Sequence, residues 1–210
     1  MSNVDQQNGI NLGRYTAFWF QNSPRRALHY LSYYKWAAKM IGADKAVLDV
    51  GCSEGLGTWL LKQSCGRARG LDLDQEAIDV AKSNWTGDGI QFDCGDVLQE
   101  APVPEWDAVT NFDVIEHIRP ENAATFIEKI AGFLKPDGVA IIGTPSLESQ
   151  VYASPHTKAG HINCYTAERL EEELREFFEY VFIFSANDEM VHTGFPRMAH
   201  YLLALCCAKK

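Results

Sequence analysis

A short apolar run, Ala46-Val47-Leu48-Asp49-Val50, leads into the glycine-bearing loop Gly51-Cys52-Ser53-Glu54-Gly55-Leu56-Gly57 and then straight into Thr58-Trp59-Leu60-Leu61-Lys62-Gln63. A buried strand, a glycine turn and a helix start in that order constrain the chain to an α/β layout. The helix N-terminus then turns its free N–H groups toward whatever sits above the turn. Further apolar runs at 68–73, 90–93, 106–112, 138–143, 180–185 and 200–208 alternate with helical patterns, which predicts a seven-stranded, mostly parallel sheet. The connection 186–199 has no helical period, so the last strand is expected to return antiparallel. Helix starts are readable at Ser23-Pro24, Asp74 and Thr166, and Lys135-Pro136-Asp137-Gly138 reads as a turn feeding a strand. A length of 210 residues fits one compact unit, divided here into an N-terminal helical lid segment, 1–44, and the sheet domain, 45–210.

The loop spacing narrows what can bind. Counted from Gly51, a dinucleotide fingerprint G-x-G-x-x-G would need glycine where Ser53 and Leu56 stand, and no G-K-[ST] follows to make a phosphate loop. A formal charge of −9 without a basic cluster disfavours unassisted binding to nucleic acid. No run approaches the roughly 20 apolar residues that span a bilayer, and the polar start lacks a signal-peptide layout, so a cytoplasmic location is expected. The six cysteines form no C-x-x-C pair and are expected to be reduced thiols.

What does fit is D-x-G-x-S-x-G over Asp49, Gly51, Ser53 and Gly55, which resembles the first motif of the class I S-adenosylmethionine (SAM) dependent methyltransferases, with Ser53 at that motif's middle glycine. Asp72, with Leu73 beside it, ends the second strand 21 residues after Gly51 (72 − 51), the offset at which a carboxylate reaches a ribose diol. Cys94-Gly95-Asp96-Val97 resembles the family's adenine-edge motif, and 106–118 followed by 133–146 resembles its fourth and fifth strands, ending at Phe112. The resemblance covers about 45–185 and implies a Rossmann-like three-layer sandwich in which Asp49 receives the methionine ammonium group. Within the family, Asp113-Val114-Ile115-Glu116-His117 and the later Gly160-His161-Ile162-Asn163-Cys164-Tyr165 resemble the ubiquinone-biosynthesis O-methyltransferases and their relatives. In those relatives an N-terminal arginine contacts the SAM carboxylate, for which Arg25 or Arg26 is the candidate, Arg26 being preferred.

Methyl transfer needs an acceptor held in line and a route for its proton. His117 is the candidate base, oriented by Glu116. Asp113, Glu116 and His117 fall at i, i+3 and i+4, which brings them to one face if the segment is helical; with His161 they offer a mixed O/N set suited to a divalent ion such as Mg²⁺ or Mn²⁺. The resemblance supports such an ion, and base and metal stand as alternatives. The aromatic-rich stretch 15–36 reads either as a lid or as core packing, and His200 as a core residue. The expected activity is methylation of a small-molecule hydroxyl. A noncatalytic SAM-binding module is the alternative from another class, and a nicotinamide enzyme is disfavoured by the failed fingerprint.

Overall fold

β1 (Ala46–Val50) is buried along its whole length because it lies mid-sheet with helices on both faces, and its sequence accordingly runs apolar without alternating. In the computed structural model, which describes residues 9–210, β1 pairs in parallel with β2 (Arg67–Asp72) on one side and β4 (Trp106–Phe112) on the other. β3 (Ile90–Cys94) and β5 (Leu134–Pro145) continue the parallel run outward. β8 (Tyr201–Lys209) lies antiparallel between β5 and β6 (Phe178–Ala186), as the sequence predicts. The sheet has eight strands rather than seven, in the order β3-β2-β1-β4-β5-β8-β6-β7. The additional one, β7 (Val191–His192), is two residues long, too short to leave a period in the sequence.

α2 (Pro24–Ile41), α3 (Leu56–Lys62) and α4 (Gln75–Asn84) cover one face, where Tyr33, Tyr34 and Ala37 meet Val47 and Ile141. α5 (Pro120–Phe133) and α7 (Ala167–Arg175) cover the other, packing Phe126, Ile130 and Leu170 on Leu48 and Ile142. α1 (Gly13–Asn22) and α6 (Pro155–Gly160) stand at the carboxyl edge of the sheet. The predicted caps at two helices form: Asp74 accepts from the Glu76 and Ala77 amides, and Thr166 from the Arg169 amide. α2 starts at Pro24 as predicted, although the Ser23 side chain makes no capping bond. Lys135–Gly138 loops out as a bulge inside β5, since Trp106 pairs with Leu134 whereas Ala108 pairs with Val139.

The aromatic stretch 15–36 splits between its two readings. Tyr30, Tyr33 and Tyr34 of α2 are core, and the Tyr33 ring stacks on Tyr201 at 4.9 Å. Tyr15 and Phe18 of α1 are exposed at the sheet's carboxyl edge. No helix among the described residues is long and apolar enough to cross a membrane. All six cysteines are free thiols, with Cys206 and Cys207 alternating on one strand and Cys206 fully buried. Thiol titration of freshly denatured protein is expected to count six groups; a lower count would mean a disulfide that this geometry does not provide.

Candidate active site

Strand order reverses between β1 and β4, and a crevice opens at their carboxyl ends. The β1–α3 loop lines it, and the loop's shape is set from below by Asp49. That carboxylate is fully buried and accepts from Thr58 Oγ1 at 2.6 Å, Thr110 Oγ1 at 2.7 Å and the Tyr34 hydroxyl at 3.3 Å. Both oxygens are thus spent on the protein, and burial pushes the Asp49 carboxyl up to about 6 despite these bonds. Asp49 thus ties the loop to α2, α3 and β4 and is not among the residues lining the cavity above it.

Three loop residues turn left-handed, Gly51 at φ 81°, Ser53 at φ 47° and Gly55 at φ 79°. Ser53 therefore carries the conformation that suits a glycine, at a cost of about 1–2 kcal/mol. Ser53→Gly is expected to stabilise the fold by about 0.5–1 kcal/mol, the relieved strain less glycine's extra chain entropy, which urea denaturation would read. Gly55 is dictated by packing rather than ligand approach: a Cβ there would sit 2.7 Å from Phe92 and 2.8 Å from the Ala81 methyl. A β-branched residue at 55 would therefore disturb the fold as well as the loop.

Above the loop lies a cavity of about 280 Å³ whose walls include Ser53, Asp72, Arg26, Phe112, Asp113 and His117. Asp72 Oδ2 accepts the Ser53 amide at 2.7 Å and Oδ1 the Asp74 amide at 2.9 Å, so two N–H groups aim the carboxylate while lone pairs remain for a ligand. The Arg26 guanidinium stacks on Trp19 at 5.2 Å and has no hydrogen-bond or ion-pair partner among the described residues. Arg25 does not line the cavity. Of the other expected cofactor-binding residues, Asp96 accepts the Leu98 amide at 2.9 Å and Val97 is buried against the core, while Leu73 is exposed; none of the three lines the cavity.

At the end of β4 the chain turns sharply at Asp113 (φ 57°) into a 3-10 turn, Ile115–His117. That turn is not the helix on which Asp113, Glu116 and His117 would share one face, and Asp113 stays outside the set of converging ligand atoms. The Asp113 carboxylate accepts the Tyr33 hydroxyl at 2.6 Å instead. Glu116, His117 and His161 do come together, each offering one ligand atom within 4.8 Å of the others. Glu116 is fully buried; Oε2 accepts from Thr144 at 3.0 Å, while Oε1 has no partner. Burial first, then the nearby Asp113 charge, pushes the Glu116 carboxyl up to about 8. Glu116 does not orient His117 as expected. The Gly160 carbonyl does, 2.8 Å from His117 Nδ1, and the Gln150 side-chain oxygen holds His161 Nδ1 at 3.1 Å. An acceptor at each Nδ1 assigns the proton there and leaves each Nε2 with a free lone pair. His161 is also shifted toward its neutral form, by burial and by His117.

Two further cavities meet this region. One of about 330 Å³ is lined by Tyr33, Asp113, His29 and Tyr201, and one of about 600 Å³ by Tyr15, Phe18, Trp19, His117 and His161; Arg26 borders both. His200, expected in the core, is exposed just before β8.

Residues 47–138 match the family described as a methyltransferase domain. A probable S-adenosylmethionine-dependent methyltransferase of Mycolicibacterium smegmatis is 30% identical over 164 residues, 77% of this chain and 58% of that protein. By these matches the chain carries a methyltransferase domain and is similar to SAM-dependent methyltransferases. A ubiquinone biosynthesis O-methyltransferase of Xylella fastidiosa (strain 9a5c) is 32% identical over 145 residues, 63% of this chain and 58% of that one. The chain thus spans a little over half the length of these curated relatives. Among solved structures, the methyltransferase in complex with the activator Trm112 from Haloferax volcanii superposes with a TM-score of 0.73 at 18% identity, covering 91% of this chain and 96% of that one. The N-methyltransferase NodS of Bradyrhizobium japonicum, solved with S-adenosyl-L-homocysteine (SAH), gives 0.69 at 19% identity, covering 94% of each. Such likenesses establish the fold of the methyltransferase family for this chain.

Sequence reasoning missed Glu54, which filled a variable motif position, and Tyr33, which was counted only among aromatics. Neither carries a local signal, because the partner of each lies far along the chain.

Proposed function

We infer that this chain is a SAM-dependent methyltransferase moving a methyl group to a hydroxyl of a small molecule. The observation that carries this reading is one crevice in which a free arginine and an amide-aimed carboxylate adjoin three convergent ligand atoms. Asp72 would accept the ribose hydroxyls, and Arg26 would pair with the methionine carboxylate across the cavity. SAM, when bound, would supply a methyl electrophile whose carbon could pass to the acceptor oxygen with the C–S electron pair left on sulfur. His117, which lines the cavity and whose Nδ1 meets the Gly160 carbonyl, would take the acceptor's proton on Nε2. α1 and α2 serve as the lid segment, since Tyr15, Trp19, Arg26 and Tyr30 wall the cavity.

The Glu116, His117 and His161 set also fits a divalent ion. An orphaned buried carboxylate oxygen and two imidazoles whose Nδ1 atoms are held by carbonyl-type oxygens form the arrangement metal-binding histidines favour. A bound ion would act as a Lewis acid that lowers the acceptor hydroxyl's pKa. Calorimetry with SAM, SAH, NAD and NADP tests the cofactor assignment. SAM and SAH are expected to bind, and NAD and NADP to leave the protein unchanged; binding of a nicotinamide cofactor alone would overturn the reading.

A further inference from the structure

α1 starts without a cap of its own: Leu12 precedes it and offers no side-chain acceptor. The Gly13 amide donates to the Asn11 side chain at 3.1 Å, and two further first-turn N–H groups are satisfied from the cofactor loop. Glu54, only 3% exposed, accepts the Tyr15 amide on Oε1 at 2.9 Å and the Thr16 amide on Oε2 at 2.8 Å. The Glu54 carbonyl accepts Trp85 Nε1 at 2.9 Å, which fixes the loop to α4. Gly13 makes the approach feasible, since a Cβ there would fall 2.3 Å from Glu54 Oε1. Around this contact Arg14 pairs with Asp74 at 2.5 Å and Glu76 at 3.0 Å, and the Asn84 side chain accepts the Asn11 amide and donates to the Asn11 carbonyl. These outer contacts are exposed and contribute little, whereas the carboxylate is buried on two helix N–H groups with the helix dipole in its favour.

We propose that Glu54 is a positioning residue that holds α1 down on the cofactor loop and thereby sets the rate at which the cofactor enters and leaves. Tyr15 and Trp19, both on the helix Glu54 holds, wall the cavity containing Ser53 and Asp72, and with Phe18 they also wall the larger cavity beside His117. Releasing α1 therefore opens the cofactor cavity and dismantles one wall of the neighbouring cavity together. A ligand seated against Ser53 holds the loop from which Glu54 extends, so an occupied cofactor cavity favours a seated α1. The proposal rests on the SAM reading of the cavity.

Hydrogen exchange of the ligand-free protein tests the contact without any cofactor. In Glu54→Gln, which keeps one acceptor oxygen and loses the charge, the α1 amides are expected to exchange about tenfold faster while β1 and β4 amides keep their protection. Stopped-flow Trp fluorescence with SAH is expected to show association and dissociation both accelerated about tenfold, leaving the dissociation constant within about threefold. Gly13→Ala attacks the same contact from the lid side with the loop sequence intact and is expected to reproduce both changes. Unchanged α1 exchange in both variants would overturn the proposal. So would faster exchange with SAH rates identical to wild type, since α1 would then not gate entry. A wild-type protein that binds no SAH at all while α1 exchange responds as expected would refute the cofactor reading and leave the Glu54 contact standing.

Discussion

Asp72→Ala is expected to weaken SAH binding at least a hundredfold, with the fold retained. The carboxylate lies on the cavity wall, aimed by the Ser53 and Asp74 amides. Two ribose hydroxyls donating to it would each contribute about 1.5–3 kcal/mol as charge-assisted bonds, so losing both costs at least about 3 kcal/mol. Asp72→Asn separates the ligand's share from the loop's. The amide keeps one acceptor oxygen, enough for one backbone N–H, and loses the charge. Its expected affinity loss is about tenfold to a hundredfold, between wild type and alanine. The Asp74 cap on α4 is a separate carboxylate and keeps that helix in place in both variants. An unchanged SAH dissociation constant in Asp72→Ala, measured by calorimetry on protein with native circular dichroism, would remove Asp72 from the cofactor site.

Asp72 was legible because its information is local: a strand end at a fixed offset from a glycine turn brings a carboxylate to the crevice whatever the rest of the chain does. The strands and caps were legible for the same reason, through periodicity and through Asp74 and Thr166 acting on amides two or three residues away. At Asp49 the motif marks the position but not the contacts. Its three hydroxyl partners come from α2, α3 and β4, and nothing in D-x-G-x-S-x-G announces that they converge. Asp113 is the opposite case. Its spacing to Glu116 and His117 suits a helix, but the chain leaves β4 through a left-handed residue and a 3-10 turn, and spacing means one face only where the backbone is helical. His161 lies 44 residues beyond His117 (161 − 117) and was reachable only through the resemblance. The fold now accounts for its place, because the His161–Tyr165 segment is held by the Asn163 amide on the Glu116 carbonyl and by Arg169 on the Asn163 side chain.

The second large effect expected is that Co²⁺, added to chelator-treated protein as a spectroscopic stand-in for a divalent ion, binds at Glu116, His117 and His161 with an affinity that climbs with pH. Burial holds the Glu116 carboxyl near 8, so at neutral pH the free protein carries it largely protonated. A cation must displace that proton, so affinity should rise with pH until the carboxyl is ionised. The same shift fixes a sign for stability without metal. Glu116 has a folded pKa raised above the unfolded value of 4.5, so the folded state binds more protons between roughly 4.5 and 8. Its stabilising contribution is present below that window and is lost as pH rises through the folded value. Asp49, raised to about 6, acts in the same direction lower down, so the interval from about 6.5 to 8.5 reports on Glu116 with the least interference. Wild-type Tm in chelator should fall across that interval, and Glu116→Gln, which stays neutral, should flatten the fall and abolish Co²⁺ uptake together. His161→Ala should lose Co²⁺ binding at least thirtyfold while leaving the Tm slope in place, because it removes a ligand and not the titrating carboxyl. If wild-type protein takes up no Co²⁺ at pH 8.5 while its Tm still falls and Glu116→Gln still flattens the fall, the buried carboxyl is real and the ion is not. Proton removal then belongs to His117 alone, whose Nδ1 is already engaged by the Gly160 carbonyl and whose Nε2 is left to take it.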